Sequence, residues 1–276
     1  MAVNLASKYS SKVDEKFALE SKTTNAVNTD FDFVGVQTVE VYGITTQALG
    51  DYTRTGANRY GTPAEVQDVK QTLTLTQDKS FSMTIDRGNN DEQMMIKKSG
   101  EALARQIREQ VVPTIDKRRL SVMGANAGTT ATTTVTSSNA YDMFLDGTVV
   151  LTDNSVSEVG RIAYVAPGYY KLLKQDSSFI LASDMAQDML VKGSVGSVDG
   201  INIIPVPTSY LPTDVQFIIT HPQAVVSPIK LEDYKIHDNP PGISGWLIEG
   251  RVIYDAFVLN NKEKAVYVHK NASSGN

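Results

Sequence analysis

The stretch Phe81-Ser-Met-Thr-Ile-Asp-Arg-Gly-Asn-Asn-Asp-Glu-Gln93 changes its hydrophobic period midway. Phe81, Met83 and Ile85 alternate with Ser82 and Thr84, the two-residue period of a strand with one face on a core. The polar run after them predicts a helix start. Asn89 or Asn90 is its cap, and Glu92 or Gln93, three residues on, is the reciprocal half of a capping box. Ile96, Leu103, Ile107, Val111 and Ile115 follow, mostly four residues apart, as one apolar stripe of a helix. The pattern persists to about Met123, with a kink expected at Pro113. A helix over 89–123 would run roughly 50 Å. A compact globule of this length has a radius of gyration of only about 19 Å, so the spacing predicts a flat or elongated subunit.

Toward the N-terminus, residues 1–30 hold few large apolar side chains: Leu5, Val13, Phe17, Leu19 and Val27. Such a stretch cannot build a core of its own and reads as an arm that orders against something else, with a short helix around Val13 to Leu19. Residues 31–86 read as two strand arms around a polar tip. Val34, Val36, Val39 and Val41 mark the way out, and Leu73, Leu75, Phe81, Met83 and Ile85 the return. Between them, Leu49 to Pro63 is rich in Gly, Thr, Tyr and Arg. A two-stranded ribbon is marginal in water unless it lies on a partner. Its tip carries Tyr52, Arg54, Arg59 and Tyr60, residue types that anchor interfaces through large contact area with a polar end. From composition alone a solvated loop fits the tip equally. The ribbon's lack of a core favours an intersubunit contact.

Toward the C-terminus, residues 124–140, from Gly124 through a run of threonines to Ala140, read as a flexible, small-residue linker. Helices are expected at Tyr141–Leu151, after Pro167 through Leu172 and Leu173, and at Leu181–Lys192. Strands are expected at Arg161–Ala166, Ile201–Val206, Val215–Thr220, Arg251–Leu259 and Ala265–Val268, the last two joined as a hairpin at Asn260–Lys264. The sum is an α+β body with an arm and a ribbon projecting from it.

Composition narrows the chemistry. The 276 residues are 41% apolar and 21% charged, ordinary globular usage. No apolar run approaches the eighteen or so residues of a membrane helix. The polar start lacks the layout of a secretory signal, and a cytosolic place of synthesis is expected. Without cysteine there is no disulfide, thiolate zinc site or cysteine nucleophile. The net charge of −5 argues against a dedicated nucleic-acid binder. Lys117, Arg118 and Arg119 form the one tight basic run, read as a solvated helix end or a subunit contact. His221, His237 and His269 stand at no metal-ligand spacing, and no Gly-x-Ser-x-Gly elbow supports a serine hydrolase. The loop Gly193–Gly200 lacks a Gly-Lys-Ser/Thr ending and precedes a strand, so it is a turn rather than a phosphate cradle. Asp86, Asp91 and Glu92 have capping as their simpler explanation. No catalytic, metal or cofactor-binding residue is singled out, and no cofactor is expected.

The passage from Phe81 to Gln93, running into Val111-Val-Pro-Thr-Ile-Asp116, resembles major capsid proteins of tailed bacteriophages, members of the HK97-type capsid fold. So do Tyr164-Val-Ala-Pro-Gly-Tyr-Tyr170, Asp199-Gly-Ile-Asn-Ile-Ile-Pro-Val206 and Gly250-Arg-Val-Ile-Tyr-Asp-Ala-Phe-Val258. The resemblance spans roughly residues 30–270 and lies in order and spacing. It implies an N-terminal arm at 1–35, an extended loop at 36–86, and a peripheral domain at 87–154 with a spine helix at 89–123. An axial domain would follow at 155–245, then a return to the peripheral domain at 246–276. It implies a shell of pentamers and hexamers of this chain around packaged double-stranded DNA, in a phage head assembled in the host bacterial cytoplasm. A separate scaffolding protein and a portal protein are the further partners, and no membrane. The extended loop has no lysine between Val36 and Val69, which departs from the lysine–asparagine crosslinking of the founding member. An encapsulin-type compartment would use the same fold, whereas a small-molecule hydrolase would leave ribbon and arm unexplained.

Overall fold

A computed structural model describes residues 21–28, 31, 38–63, 65–92, 98–178 and 196–272. The expected helices at Val13–Leu19 and Leu181–Lys192, and Val34, Val36 and Ile96, lie outside the described residues.

The ribbon consists of β1 (Thr38–Ile44) and β2 (Asp68–Thr74), antiparallel from Thr38 opposite Thr74 to Ile44 opposite Asp68. The return arm stops there. The next strand, β3 (Gln77–Asp86), leaves the ribbon and joins another sheet, so the run of alternating residues from Leu73 to Ile85 belongs to two sheets and not to one long arm. Helix α1 (Arg87–Glu92) begins directly after β3. Its cap is Asp86, whose Oδ1 accepts the Asn89 N–H at 3.0 Å, and not Asn89 or Asn90. Asn90 lies inside the helix and is buried.

The long helix is interrupted where a continuous one was expected: Lys98 is extended. From Ser99 it runs unbroken as α2 (Ser99–Gln106), a π-helical turn (Ile107–Val111) and α3 (Val112–Ala125), about 40 Å end to end. The π turn answers Pro113. A regular turn would drive the pyrrolidine ring into the Glu109 carbonyl and leave that carbonyl without its donor. Widening the turn, with the Val112 N–H bonded to the Ile107 carbonyl, makes room for the ring.

The larger body follows. Strand β4 (Thr129–Thr132) corrects the expected linker: it pairs in parallel with the last strand of the chain. Then come α4 (Ala140–Asp153), β5 (Ile162–Val165), α5 (Pro167–Gln175), β6 (Ser197–Val198), β7 (Ile201–Pro205), β8 (Val215–Thr220), β9 (Val225–Val226), β10 (Ile229–Asp238), β11 (Gly245–Tyr254), β12 (Phe257–Val258) and β13 (Val266–Lys270). Six strands form one mixed sheet in the order β4-β13-β8-β5-β7-β6. Asp199 and Gly200, both at positive φ, close β6 onto β7 as a two-residue hairpin turn. The hairpin expected at Asn260–Lys264 does not form. That segment is a 3-10 turn, β12 pairs with β9, and β13 lies between β8 and β4.

One core lies under this sheet. Phe217 of β8 is ringed by Phe144 of α4, Tyr169 of α5, Tyr267 and His269 at centroid distances of 5.6, 4.6, 6.0 and 5.0 Å. Gly147 lets α4 close on β13, since a Cβ there would stand 2.8 Å from the Tyr267 ring. Buried Arg161 holds the end of α4 to the following loop, donating to the carbonyls of Thr148, Val156 and Ser157.

A second sheet, β10-β11-β3, packs against the long helix through Ile115, Val252 and Tyr254. Sheet membership crosses the expected divisions of the chain. The six-stranded sheet takes β4 from within 87–154 and β13 from within 246–276, while the three-stranded sheet takes β10 from within 155–245.

Candidate functional site

The ribbon is the part of the described molecule most exposed for its apolar content. Cross-strand partners share a face, so Thr38, Glu40, Tyr42 and Ile44 stand with Thr74, Thr72, Lys70 and Asp68 on one side. That side is a polar ladder near the root: Thr38 and Thr74 hydroxyls are 3.2 Å apart, Glu40 pairs with Lys70, and the Tyr42 hydroxyl donates to Glu40 at 2.9 Å. Hydrogen bonds from Lys70 and then Tyr42 hold the Glu40 carboxyl below its usual pKa. Farther out, Ile44, Leu49, Tyr60 and Val66 are all exposed, Leu49 and Tyr60 almost completely.

The tip has structure of its own. The Tyr52 and Tyr60 rings meet edge to face at 5.0 Å. The Thr53 N–H donates to the Arg59 carbonyl at 3.1 Å, and Arg59 Nε returns to the Gly56 carbonyl at 3.2 Å. Gly56 and Gly61, at φ of 92° and 81°, make the tight bends possible. Tyr52, Arg59 and Tyr60 are therefore brought together, and Arg54 lies exposed on the same loop.

At its root the ribbon is held to the body twice. The other face of the ribbon sets Leu73 and Leu75 into an apolar cluster with Val226 and Leu259, flanked by Phe31, Val39, Val41, Ile253 and Phe257. Gln71 stands in for a missing strand neighbour, donating to the Val258 carbonyl and accepting from the Asn260 N–H, both at 2.9 Å.

The second attachment is polar. The Asp255 carboxylate, fully buried, accepts from Thr76 N–H (2.9 Å), Thr76 Oγ1 (2.7 Å), Arg118 Nε (2.9 Å) and Ala256 N–H (2.9 Å). Burial alone would raise its pKa; the bonds from Thr76, Arg118 and Ala256 outweigh burial and lower it. Thr76 is the second of the two residues between β2 and β3, so this carboxylate stands where the chain leaves the ribbon. On the far side of α3, Asp116 accepts from Ser21 Oγ (2.8 Å), Lys22 N–H (3.0 Å) and Thr23 Oγ1 (2.6 Å). The segment 21–28 is thus tied to the helix, and Asn28 completes the tie by pairing alongside Val226.

The stripe residues are unequal. Ile115 is buried with Val252 and Tyr254, and Val111 packs partly against them; Leu103 and Ile107 are half-buried. Asp116 and Asp255 were not singled out from sequence. The basic run Lys117-Arg118-Arg119 was the available signal, and two of its members are joined to buried carboxylates rather than solvated. Of the histidines, His221 Nε2 lies 3.1 Å from the Val159 carbonyl, His237 pairs with Glu249, and His269 is buried. Among the described residues no three His, Asp or Glu side chains converge to hold a metal, and no helix is long and apolar enough to cross a membrane.

Solved structures share this architecture from end to end. A protein of Mycobacterium phage Che8 superposes with a TM-score of 0.71 at 20% identity, covering 97% of this chain and 98% of its own. The capsid of cyanophage P-SCSP1u gives a TM-score of 0.79 at 14% identity, covering 98% and 94%. The mature capsid of bacteriophage PhiM1 gives 0.77 at 14% identity, covering 98% and 93%. No family model and no curated protein matches the sequence. The fold is the α+β, HK97-type capsid fold.

Proposed function

We propose that this chain is the major capsid protein of a tailed bacteriophage, a structural subunit and not an enzyme, whose copies form the pentamers and hexamers of an icosahedral head. The observation that carries the reading is the ribbon. Its apolar and aromatic outer half, with Ile44, Leu49, Tyr60 and Val66 exposed, has no cover among the described residues, on a fold shared along its whole length with phage capsid proteins. A neighbouring copy that covers Tyr52, Arg54, Arg59 and Tyr60 supplies what the isolated ribbon lacks. The three-stranded sheet with its long helix is the peripheral domain, and the six-stranded sheet with α4 and α5 is the axial domain around the capsomer centre. The enclosed double-stranded DNA is held without sequence specificity, and the net charge of −5 suits a lining along which DNA must move. A separate scaffolding protein and a portal belong to the same reading, with assembly in the host cytoplasm.

Deleting Leu49 to Pro63 tests it. The variant should keep the circular dichroism of the parent and lose the ability to build regular shells. Normal particles from the deleted chain would refute the role given to the ribbon.

A further inference from the structure

The root of the ribbon and the segment 21–28 are bound to opposite sides of α3, and the bonds between them are continuous. Thr76 donates to Asp255, the Asp255 carbonyl accepts from Ser227 Oγ at 3.0 Å, and Ser227 Oγ accepts from Arg119 Nε at 2.8 Å. Arg119 Nη1 then donates to Thr23 Oγ1 at 3.1 Å, and Thr23 donates to Asp116. Thr23, Asp116, Arg119, Ser227 and Asp255 are all at most 5% exposed. We propose that this chain of buried hydrogen bonds couples the N-terminal segment to the ribbon, so that seating Thr23 on α3 fixes the point where the ribbon leaves the body.

Three features support transmission along this path. The links from Asp255 through Ser227 and Arg119 to Thr23 and Asp116 are buried, where a bond lost is not replaced by water and neighbouring bonds reinforce one another; only the outermost, from exposed Thr76 to the Asp255 carboxylate, is part-buried. Arg119 has two of its donors committed to different elements, Ser227 before β10 and Thr23 in the N-terminal segment. Loss of one partner therefore leaves a buried guanidinium to reorient. Arg118, its neighbour on the helix, grips Asp255 directly, so a shift of α3 at this turn moves the carboxylate that holds Thr76. Segment 21–28 acts as a strap with the ribbon root at its far end. That the strap sets the ribbon for assembly rests on the proposed function; the coupling itself does not.

Hydrogen exchange of the unassembled subunit, read by mass spectrometry, tests the coupling apart from any shell. Thr23→Val removes both bonds of that hydroxyl at one end, and the readout is the peptide spanning Leu73 to Gln77 at the other. It should exchange severalfold faster, with the peptide spanning Val215 to Thr220 unchanged. Thr23→Ser, which keeps the hydroxyl, should restore parental exchange. Unchanged exchange at 73–77, or equal acceleration in both peptides, would overturn the proposal, as would failure of Thr23→Ser to rescue. Asp255→Asn, which weakens the acceptor of Thr76 itself, shows the size of a direct release at 73–77 for comparison.

Discussion

At Asp255 a fully buried carboxylate collects four donors from three parts of the chain. Asp255→Ala leaves Arg118 and the Thr76 N–H without their acceptor and should cost on the order of 3 kcal/mol in denaturant unfolding. Thr76→Val removes only one neutral donor and should cost about 1 kcal/mol. Equal costs would mean the carboxylate is not the hub. Ile115 and Ile107 separate in the same way. Ile115→Asp puts a charge into a buried site and should cost several kcal/mol, whereas half-buried Ile107 can turn an aspartate toward water and should cost less. A reversed order in urea midpoints would contradict the packing of the helix. His269 offers a pH test. Burial lowers its pKa, more than the Thr133 carbonyl and Asp146 raise it. The folded state therefore keeps the ring neutral while the unfolded chain takes up a proton near pH 6.5. The stability linked to this residue is present above that pH and is lost as pH falls below it. The melting temperature should drop between pH 7 and pH 5, and by less in His269→Phe, which retains the stacking on Phe217. Identical slopes for the two proteins would refute this.

At the scale of elements, alternation and periodicity located most strands and helices but could not say which strands pair. Val215 to Thr220 was legible to the residue because its ends are marked and Val215, Phe217, Ile218 and Ile219 within it are apolar. Phe81 to Ile85 was legible as a strand, but its partner lies more than 160 residues on in β11, a relation no local pattern contains. Strand β4 was missed because it is a sheet-edge strand of threonine and alanine, whose half-exposed side chains resemble a linker. The stripe from Leu103 to Ile115 was read as one face. The π turn between them takes more residues than an α turn and rotates the first half away from the face that Ile115 buries. The sheet at β11 depends on a glycine that alternation would pass over. A Cβ on Gly250 would collide with the Phe81 and Tyr234 rings, which stack across it at 6.1 Å. Gly250→Val should cost about 1–3 kcal/mol through that collision, and a melting temperature equal to the parent's would contradict the stack.

For the whole molecule, the tip residues were legible as a group because Tyr and Arg are unusual in a loop with nothing to pack on. Its root was not, since buried aspartates at 116 and 255 look in sequence like any surface charge. The loop's lack of lysine between Val36 and Val69 predicts shells held without covalent links. Particles boiled in detergent should give a monomer band near 30.1 kDa, and a ladder of covalent oligomers would refute that. The most direct test of the capsid assignment is cryo-electron microscopy of the protein produced alone and together with a scaffolding protein. Closed shells built of rings of five and six subunits are expected, with Leu49 to Pro63 of each subunit lying on its neighbour. A monomer or small closed oligomer under both conditions, with that loop in solvent, would contradict it.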